Sequence, residues 1–148
     1  MIQHKKCTGV LVFNDAGEIA LQLRAAHDDS FPSHWDFSAG GGIDLGEDEM
    51  VSAIRELKEE LGIEADVQFV TNKNYAYQAW DPTVTRDADL WIYKARHNGP
   101  FNPDPNEVEE ARFFKLKEIE DMFASKTKFH PEFASAWEEG VIARAAAL

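Results

Sequence analysis

The chain has 148 residues, 44% hydrophobic and 28% charged, which is typical of one globular domain over residues 1–148. The formal net charge of −12 argues against a stable nucleic-acid or membrane partner, since both carry negative charge. A single cysteine, Cys7, excludes an intrachain disulfide and a cysteine-based zinc site. No apolar run suits a signal peptide or a membrane span, so we expect a cytoplasmic protein.

The N-terminal part of the chain predicts a β-hairpin. Val10–Phe13 is a short apolar run, and Asn14–Gly17 follows it as a turn. Apolar residues then alternate with others over Ile19–Leu23, which predicts a half-buried strand. Residues 25–45 show no such period and contain the glycine triplet Gly40–Gly42, so we expect them to be irregular.

Residues 47–61 predict an amphipathic α-helix. Apolar residues spaced four, three and four apart would share its inward face: Met50, Ile54, Leu57 and Leu61. Acidic residues at 47–49 suit the positive N-terminal end of a helix, and Gly62 suits its C-terminal cap.

The rest of the chain predicts further strands and two helices. Strand-like segments lie near 66–71, 74–79, 90–95 and 111–116. A short helix is expected over 117–123, with Ile119, Met122 and Phe123 inward. Pro131 opens a closing helix that would carry Phe133, Trp137 and Val141 on one side. This order predicts a mixed α/β or α+β fold.

Three acidic residues of the first helix are candidates for metal chemistry. Glu56 and Glu60 are four residues apart and therefore neighbours on the helix, with Glu59 beside them. Three carboxylates within about one turn repel each other unless a cation lies among them, and such clusters suit Mg²⁺ or Mn²⁺. Taken alone, a Glu-rich helix is more commonly a solvated surface, in which Glu56 or Glu59 would pair with Arg55 and Lys58.

The whole segment Gly41–Ile63, GGIDLGEDEMVSAIRELKEELGI, favours the metal site. It resembles the Nudix box, the family pattern G-x5-E-x7-R-E-U-x-E-E-x-G-U, in which U is a bulky aliphatic residue. The residues at the specified positions are Gly41, Glu47, Arg55, Glu56, Leu57, Glu59, Glu60, Gly62 and Ile63. A chance match at one starting point is on the order of one in 10⁹ at average residue frequencies.

The resemblance implies a fold and a set of roles. The fold would be a Nudix-type α/β/α sandwich with a mixed central sheet. The metal ligands, Mg²⁺ or Mn²⁺ being the cofactor, would be Glu56, Glu59, Glu60 and the carbonyl of Gly40. Glu59 would be either a further ligand or the base that acts on water. Arg55 would orient the acidic residues, and Glu47 would be its ion-pair partner.

The implied activity is hydrolysis of a diphosphate linkage by water attack on phosphorus, in a nucleoside diphosphate derivative or a related small molecule. Gly41 and Arg24 are candidate substrate contacts, and a homodimer is compatible with the sequence. A base could stack on one of several aromatic residues: Phe31, His34, Trp35, Tyr75, Tyr77 and Trp80. One further acid could reach the metals, and the candidates are Asp87, Asp89, Glu107, Glu109 and Glu110.

Two alternatives remain. The segment Trp35–Gly42 also resembles the loop of isopentenyl-diphosphate isomerases, but those enzymes carry a catalytic cysteine and a metal-binding histidine where this chain has Gly40 and Gly42. Cys7 is too distant in sequence to be assumed a substitute. The other alternative is a Nudix-fold domain that binds a nucleotide without catalysis. Such domains tend to lose metal-ligand glutamates, whereas this chain retains all of them.

Overall fold

The computed structural model describes residues 1 to 148. The strands are β1 (Ile2–Phe13), β2 (Ile19–Arg24), β3 (Trp35–Asp36), β4 (Ala39–Gly42), β5 (Val67–Gln78), β6 (Thr85–Arg96) and β7 (Val108–Phe114). The helices are α1 (Glu49–Glu56), α2 (Leu116–Ala124), α3 (Pro131–Glu138) and α4 (Val141–Ala147). A π-helical segment, Leu57–Leu61, continues α1. None of the helices combines the length and the apolar composition that crossing a bilayer requires.

The strands form one mixed sheet between two helical layers. Its path is β3-β2-β1-β6-β5, with β4 paired to β1 and β7 paired to β2. Helix α1 and the π-helical segment cover one face, where Leu57 and Leu61 pack with Val10 and Val12. The remaining helices cover the other face, where Phe133 packs in a larger core. The predicted α/β/α sandwich with a mixed central sheet is confirmed.

Strand β1 changes partner along its length. It pairs with β2 only through Val12 and Phe13, and with β4 through Cys7–Val10. Ser38 connects β1 and β2 at the point where β2 and β4 separate. Its hydroxyl accepts a hydrogen bond from the Val12 N–H at 2.8 Å and donates one to the carbonyl of Ala20. A small cavity of about 40 Å³ lies where β2 and β4 diverge, between residues of β1 to β4 and the start of α3.

The helix predicted over 47–61 is observed over Glu49–Leu61. Asp48 begins it, since its side chain accepts a hydrogen bond from the Met50 N–H at 2.9 Å. Gly62 ends it in the left-handed conformation, with φ of 68°, as predicted from the sequence. The helix therefore starts two residues later than its acidic first turn suggests.

The predicted inward face of this helix is only half right. Leu57 and Leu61 are fully buried, whereas Met50 and Ile54 are 42% and 40% exposed. Ala53 is fully buried in the same cluster as Leu57. A methyl side chain at this position lets the helix approach the sheet closely, so apolar spacing alone identifies the wrong face for its first half.

Three strand predictions need correction. The segments 66–71 and 74–79 form one strand, β5, which continues through residues 72 and 73 and has a bulge between Phe69 and Thr71. Residues 25–45 are not wholly irregular, because β3 and β4 lie within them. Strand β2 is buried on both faces rather than half-buried, since α1 and the π-helical segment cover the side that carries Gln22.

The C-terminal region follows the prediction more closely. The short helix expected over 117–123 is α2, with Ile119 fully buried. The closing helix does begin at Pro131, but it is two helices, because Gly140 interrupts it with φ of 76°. Phe133 and Val141 still share one core on either side of this break.

Candidate active site

The carboxylate of Glu60 lies against the glycine strand β4. Its Oε1 accepts a hydrogen bond from the Gly40 N–H at 2.9 Å and another from Nε2 of the buried Gln22 at 2.8 Å. Its Oε2 accepts none. Burial, followed by the charge of Glu56, raises the pKa of Glu60 well above its ordinary value. One oxygen is therefore fixed and the other is unpaired.

Glu56 lies beside Glu60, and its carboxylate also faces strand β4. A Cβ on Gly41 would come within 2.7 Å of Glu56 Oε1, so only glycine leaves room for this carboxylate. Burial raises the pKa of Glu56 to about 7, although the neighbouring Arg55 opposes the shift. The surroundings of the buried pair therefore disfavour two negative charges when no cation is bound.

The guanidinium of Arg55 connects the helix with the loop before it. Nε and Nη2 donate to the two carboxylate oxygens of Glu47 at 2.7 and 2.9 Å. Nη1 donates to Glu56 at 2.9 Å and to Glu59 at 3.1 Å, while Nη2 also donates to the carbonyl of Gly42 at 3.2 Å. The hydrogen bonds from Arg55 lower the pKa of Glu47 to about 2. Planar, paired donors of this kind fix carboxylates in position.

Glu59 differs from the two buried carboxylates. Its side chain is 53% exposed and contacts Arg55 at the rim of the site. The sequence predicts that Glu56, Glu59 and Glu60 converge, but the protein has no cluster of three His, Cys, Asp or Glu side chains ready to hold a metal ion. Arg55 Nη1 donates to both Glu56 and Glu59, so Glu59 stays at the exposed edge of the cluster while Glu56 and Glu60 are buried.

Arg24, predicted to contact the substrate, lies at the edge of the site with most of its donors engaged. Nε and Nη2 donate to the carbonyl of Ser30 at 3.1 and 2.8 Å. Nη2 also donates to Asp28, and Nη1 donates to Asp36, both at 3.2 Å. Arg24 therefore braces the loop between β2 and β3.

Glu107 is the acid outside the helix that acts on the site. Its charge raises the pKa of both Glu56 and Glu60. It precedes β7, where its carbonyl accepts a hydrogen bond from the Ala25 N–H at 3.2 Å. The sequence alone could not distinguish it from the other four candidate acids.

The role of Gln22 could not be predicted from the sequence. Strand alternation puts it on the polar side of β2, which would ordinarily be solvated. In the structure that side faces the π-helical segment, and Gln22 holds Glu60. No spacing in the sequence connects the two residues, so only the fold reveals the contact.

Similarity to known proteins extends over most of the chain. Residues 3–136 match the NUDIX domain. An uncharacterised Nudix hydrolase of Pseudomonas aeruginosa is 36% identical over 110 residues, which cover 73% of this chain and 61% of that protein. An isopentenyl-diphosphate Delta-isomerase of Cereibacter sphaeroides is 32% identical over 131 residues, covering 86% of this chain and 72% of that protein.

A solved structure shows the same fold. The MutT protein from Methanosarcina mazei superimposes with a TM-score of 0.78 at 19% identity, over 96% of this chain and 94% of the other. The chain spans about three-fifths of the Pseudomonas relative, so the comparison with that protein concerns its matched part. With the NUDIX match extending over nearly all of its length, the chain belongs to the Nudix hydrolase family.

Proposed function

We propose that this protein is a metal-dependent hydrolase that cleaves a diphosphate linkage in a small molecule by attack of water on phosphorus. One observation carries the proposal: Glu56 and Glu60 are buried side by side against Gly40 and Gly41, and Arg55 braces the cluster. Burying two neighbouring carboxylates is unfavourable unless a cation joins them. The family to which the chain belongs supports the same reaction class.

The donor set fits Mg²⁺ or Mn²⁺. Neither Glu56 nor Glu60 uses its Oε2 in a hydrogen bond, and hard divalent cations prefer carboxylate oxygens. Glu56, Glu59, Glu60 and the carbonyl of Gly40 would hold the ion. Once bound, it would supply positive charge to the phosphate oxygens and the leaving group.

The protein's own groups would position the reactants. Arg55 and Gln22 hold the buried carboxylates, and Gly41 leaves room for the Glu56 carboxylate beside β4. The main chain of Gly41 would contact the substrate. Glu59 lies exposed at the rim, where it could accept a proton from the attacking water. Arg24 would act mainly by keeping the loop between β2 and β3 in place.

An exposed aromatic surface favours a nucleoside derivative as the substrate. The Trp80 side chain is 48% exposed, and its ring centroid lies 5.4 Å from that of Phe31 and 5.6 Å from that of His34. Phe31 in turn contacts His130, which lines the cavity beside β4. Phe31 and His130 lie between Trp80 and this cavity, so a nucleoside whose base stacks on Trp80 would extend along these rings toward the glycine strand.

A hydrolysis panel with and without Mg²⁺ or Mn²⁺ tests the proposal. It should include nucleoside di- and triphosphates, sugar nucleotides, dinucleoside polyphosphates and coenzymes, assayed beside Glu59→Gln and Glu60→Gln. We expect either variant to lose at least about a hundredfold in rate, the scale of a positioned acid–base group. Glu64→Gln is the matched control, since Glu64 is an exposed partner of Lys58. Unchanged turnover in both site variants would refute the assignment.

An isoprenoid isomerase is the second candidate. The structure pairs Cys7 with Gly42 across β1 and β4, and one relative is such an isomerase, so the distance in sequence no longer separates Cys7 from the site. However, the thiol is buried, and burial raises its pKa to about 12, which disfavours a reactive thiolate. Isopentenyl diphosphate in the panel, with products checked for the isomer, decides between the two reactions.

A non-catalytic nucleotide-binding domain would bind panel members without releasing phosphate. Retention of Glu56, Glu59 and Glu60 favours the enzyme over such a domain. Mg²⁺ affinity measured together with turnover distinguishes them, because the binding domain predicts no activity with any member of the panel.

A further inference from the structure

The cavity where β2 and β4 diverge extends the site toward α3. Lys5 of β1 and Glu132 of α3 line it, together with Gly40 and Gly41. Gly41 lines the cavity and also approaches the Glu56 carboxylate, so this one residue of β4 lies between the cavity and the acidic pair. A role for the cavity in substrate binding requires that a diphosphate held at the pair extend past Gly41.

Two cations line the cavity, and they differ in what they already bind. Arg24 is hydrogen-bonded to Asp28, Ser30 and Asp36, as described above. The ammonium of Lys5 makes no hydrogen bond, and its one charged neighbour is Glu132 Oε2 at 3.8 Å. That separation exceeds hydrogen-bonding distance, so the Lys5 donors are free.

Glu132 is fixed by other groups. It is buried, accepts a hydrogen bond from the hydroxyl of Tyr77, and contacts Sγ of Cys7 at 3.9 Å. A fixed carboxylate holds the Lys5 ammonium close to the cavity without occupying its donors. The Lys5 ammonium is therefore placed to exchange its long ion pair with Glu132 for a short contact with a bound anion.

We propose that Lys5 binds a phosphate group of the substrate, the role that the sequence suggested for Arg24. The assignment rests on the proposed function, since it takes the ligand to be a diphosphate held at the acidic pair. Lysine binds phosphate as a point charge with three donors, which suits a group that approaches from the cavity side.

The test uses imidodiphosphate, a diphosphate analogue that resists hydrolysis, with its binding measured by calorimetry in the presence of Mg²⁺. We expect Lys5→Met to weaken binding at least about tenfold, the scale of a hydrogen bond to a charged group. Lys6→Met is the matched control. Lys6 is adjacent in sequence but pairs with Glu49 at 2.7 Å, and its substitution should change binding less than about twofold.

Two more variants separate binding from structural support. Lys5→Arg keeps the charge and should retain most of the affinity. Glu132→Gln removes a negative charge that faces the anion and should strengthen binding. If Lys5→Met and Glu132→Gln weaken binding equally, the pair is structural and the proposal is wrong. Failure of the wild-type protein to bind imidodiphosphate would also overturn it.

Failure of the Lys5 assignment can be distinguished from failure of the hydrolase proposal. Loss of imidodiphosphate binding in Lys5→Met supports the assignment even if no panel member is hydrolysed. Conversely, normal binding by Lys5→Met overturns the assignment while an active wild-type enzyme leaves the proposed function intact. With an identified substrate, Lys5→Met should mainly raise KM, whereas Glu59→Gln should mainly lower kcat.

Discussion

Glu47 accepts two hydrogen bonds from Arg55, one from Nε at 2.7 Å and one from Nη2 at 2.9 Å. They join the loop before α1 to the end of that helix, and they leave Nη1 free to contact Glu56 and Glu59. Only a planar guanidinium can make these contacts together, because an ammonium offers its donors from a single point. The shape of the acidic cluster therefore depends on the residue type at position 55.

Arg55→Lys should weaken Mn²⁺ binding by about 10- to 100-fold, as other losses of supporting contacts to metal ligands do. The charge is retained, so the loss would come from geometry. Direct titration with Mn²⁺ measures it. Arg112→Lys is the control, since Arg112 forms an exposed pair with Glu110 away from the acidic cluster. Equal Mn²⁺ affinity in both variants would show that the bidentate contact is dispensable.

Gly41→Ala should impair the site while leaving the fold intact. The added methyl group would lie 2.7 Å from Glu56 Oε1, so the carboxylate must move away from β4. We expect a drop of about tenfold or more in Mn²⁺ affinity. Gly42→Ala is the matched control, because nothing lies within 4 Å of a Cβ built there. The idea fails if the two alanine variants bind Mn²⁺ alike.

Gln22→Leu removes one of the two donors that hold Glu60 Oε1. With its orientation less restricted, Glu60 should bind Mn²⁺ about tenfold more weakly. Circular dichroism and thermal unfolding would check that the variant folds. The comparable change Gln78→Leu removes only an exposed hydrogen bond to Pro82 and should leave metal affinity unaltered. A wild-type affinity in Gln22→Leu would contradict a positioning role.

Leu57→Ala and Ile54→Ala test the corrected face of α1 and its π-helical continuation. Leu57 is fully buried, so its truncation should lower the free energy of unfolding by about 2–5 kcal/mol. Ile54 is 40% exposed, and its truncation should cost much less, about 1 kcal/mol or below. Urea denaturation of both variants measures the difference. Similar losses of stability in the two variants would instead support the inward face predicted from the apolar spacing, which includes Ile54.

His130 should make the protein sensitive to acid. Its ring is buried and caps α3 by accepting a hydrogen bond from the Glu132 N–H at 3.2 Å. Burial lowers the pKa of His130, with Arg24 and Lys5 acting in the same direction and Asp36 and Glu132 opposing them. The unfolded chain takes up a proton below about pH 6.5 while the folded protein resists it, so stability falls as the pH falls.

The variant His130→Asn keeps a capping oxygen and removes the titration. The free energy of unfolding of the wild-type protein should therefore decline more steeply than that of the variant as the pH is lowered through this range. The difference between the two curves is the relevant quantity, because the buried acidic pair titrates with the opposite sign. Parallel curves would show that His130 does not contribute.

Much of the fold and the acidic residues could be predicted because one continuous segment encodes them. Gly41–Ile63 contains the turn, the helix and its carboxylates in fixed spacing, and Gly62 terminates the helix where expected. The supporting contacts could not be predicted in the same way. Gln22 reaches Glu60 across 38 positions, and Cys7 reaches Glu132 across 125. Pairing of that kind depends on the folded topology, which residue spacing does not specify.

The partner change of β1 has a consequence for substrate range. The angle between β2 and β4 is set by main-chain pairing and by the hydroxyl of Ser38, so it is insensitive to most side-chain replacement. Beyond the point where β2 and β4 separate, the cavity walls include Lys5 and Cys7 of β1 and the start of α3, and none of these residues belongs to the acidic pair. On the proposed function, mutagenesis restricted to these walls would change the size of substrate that is accepted while Glu56 and Glu60 stay as they are.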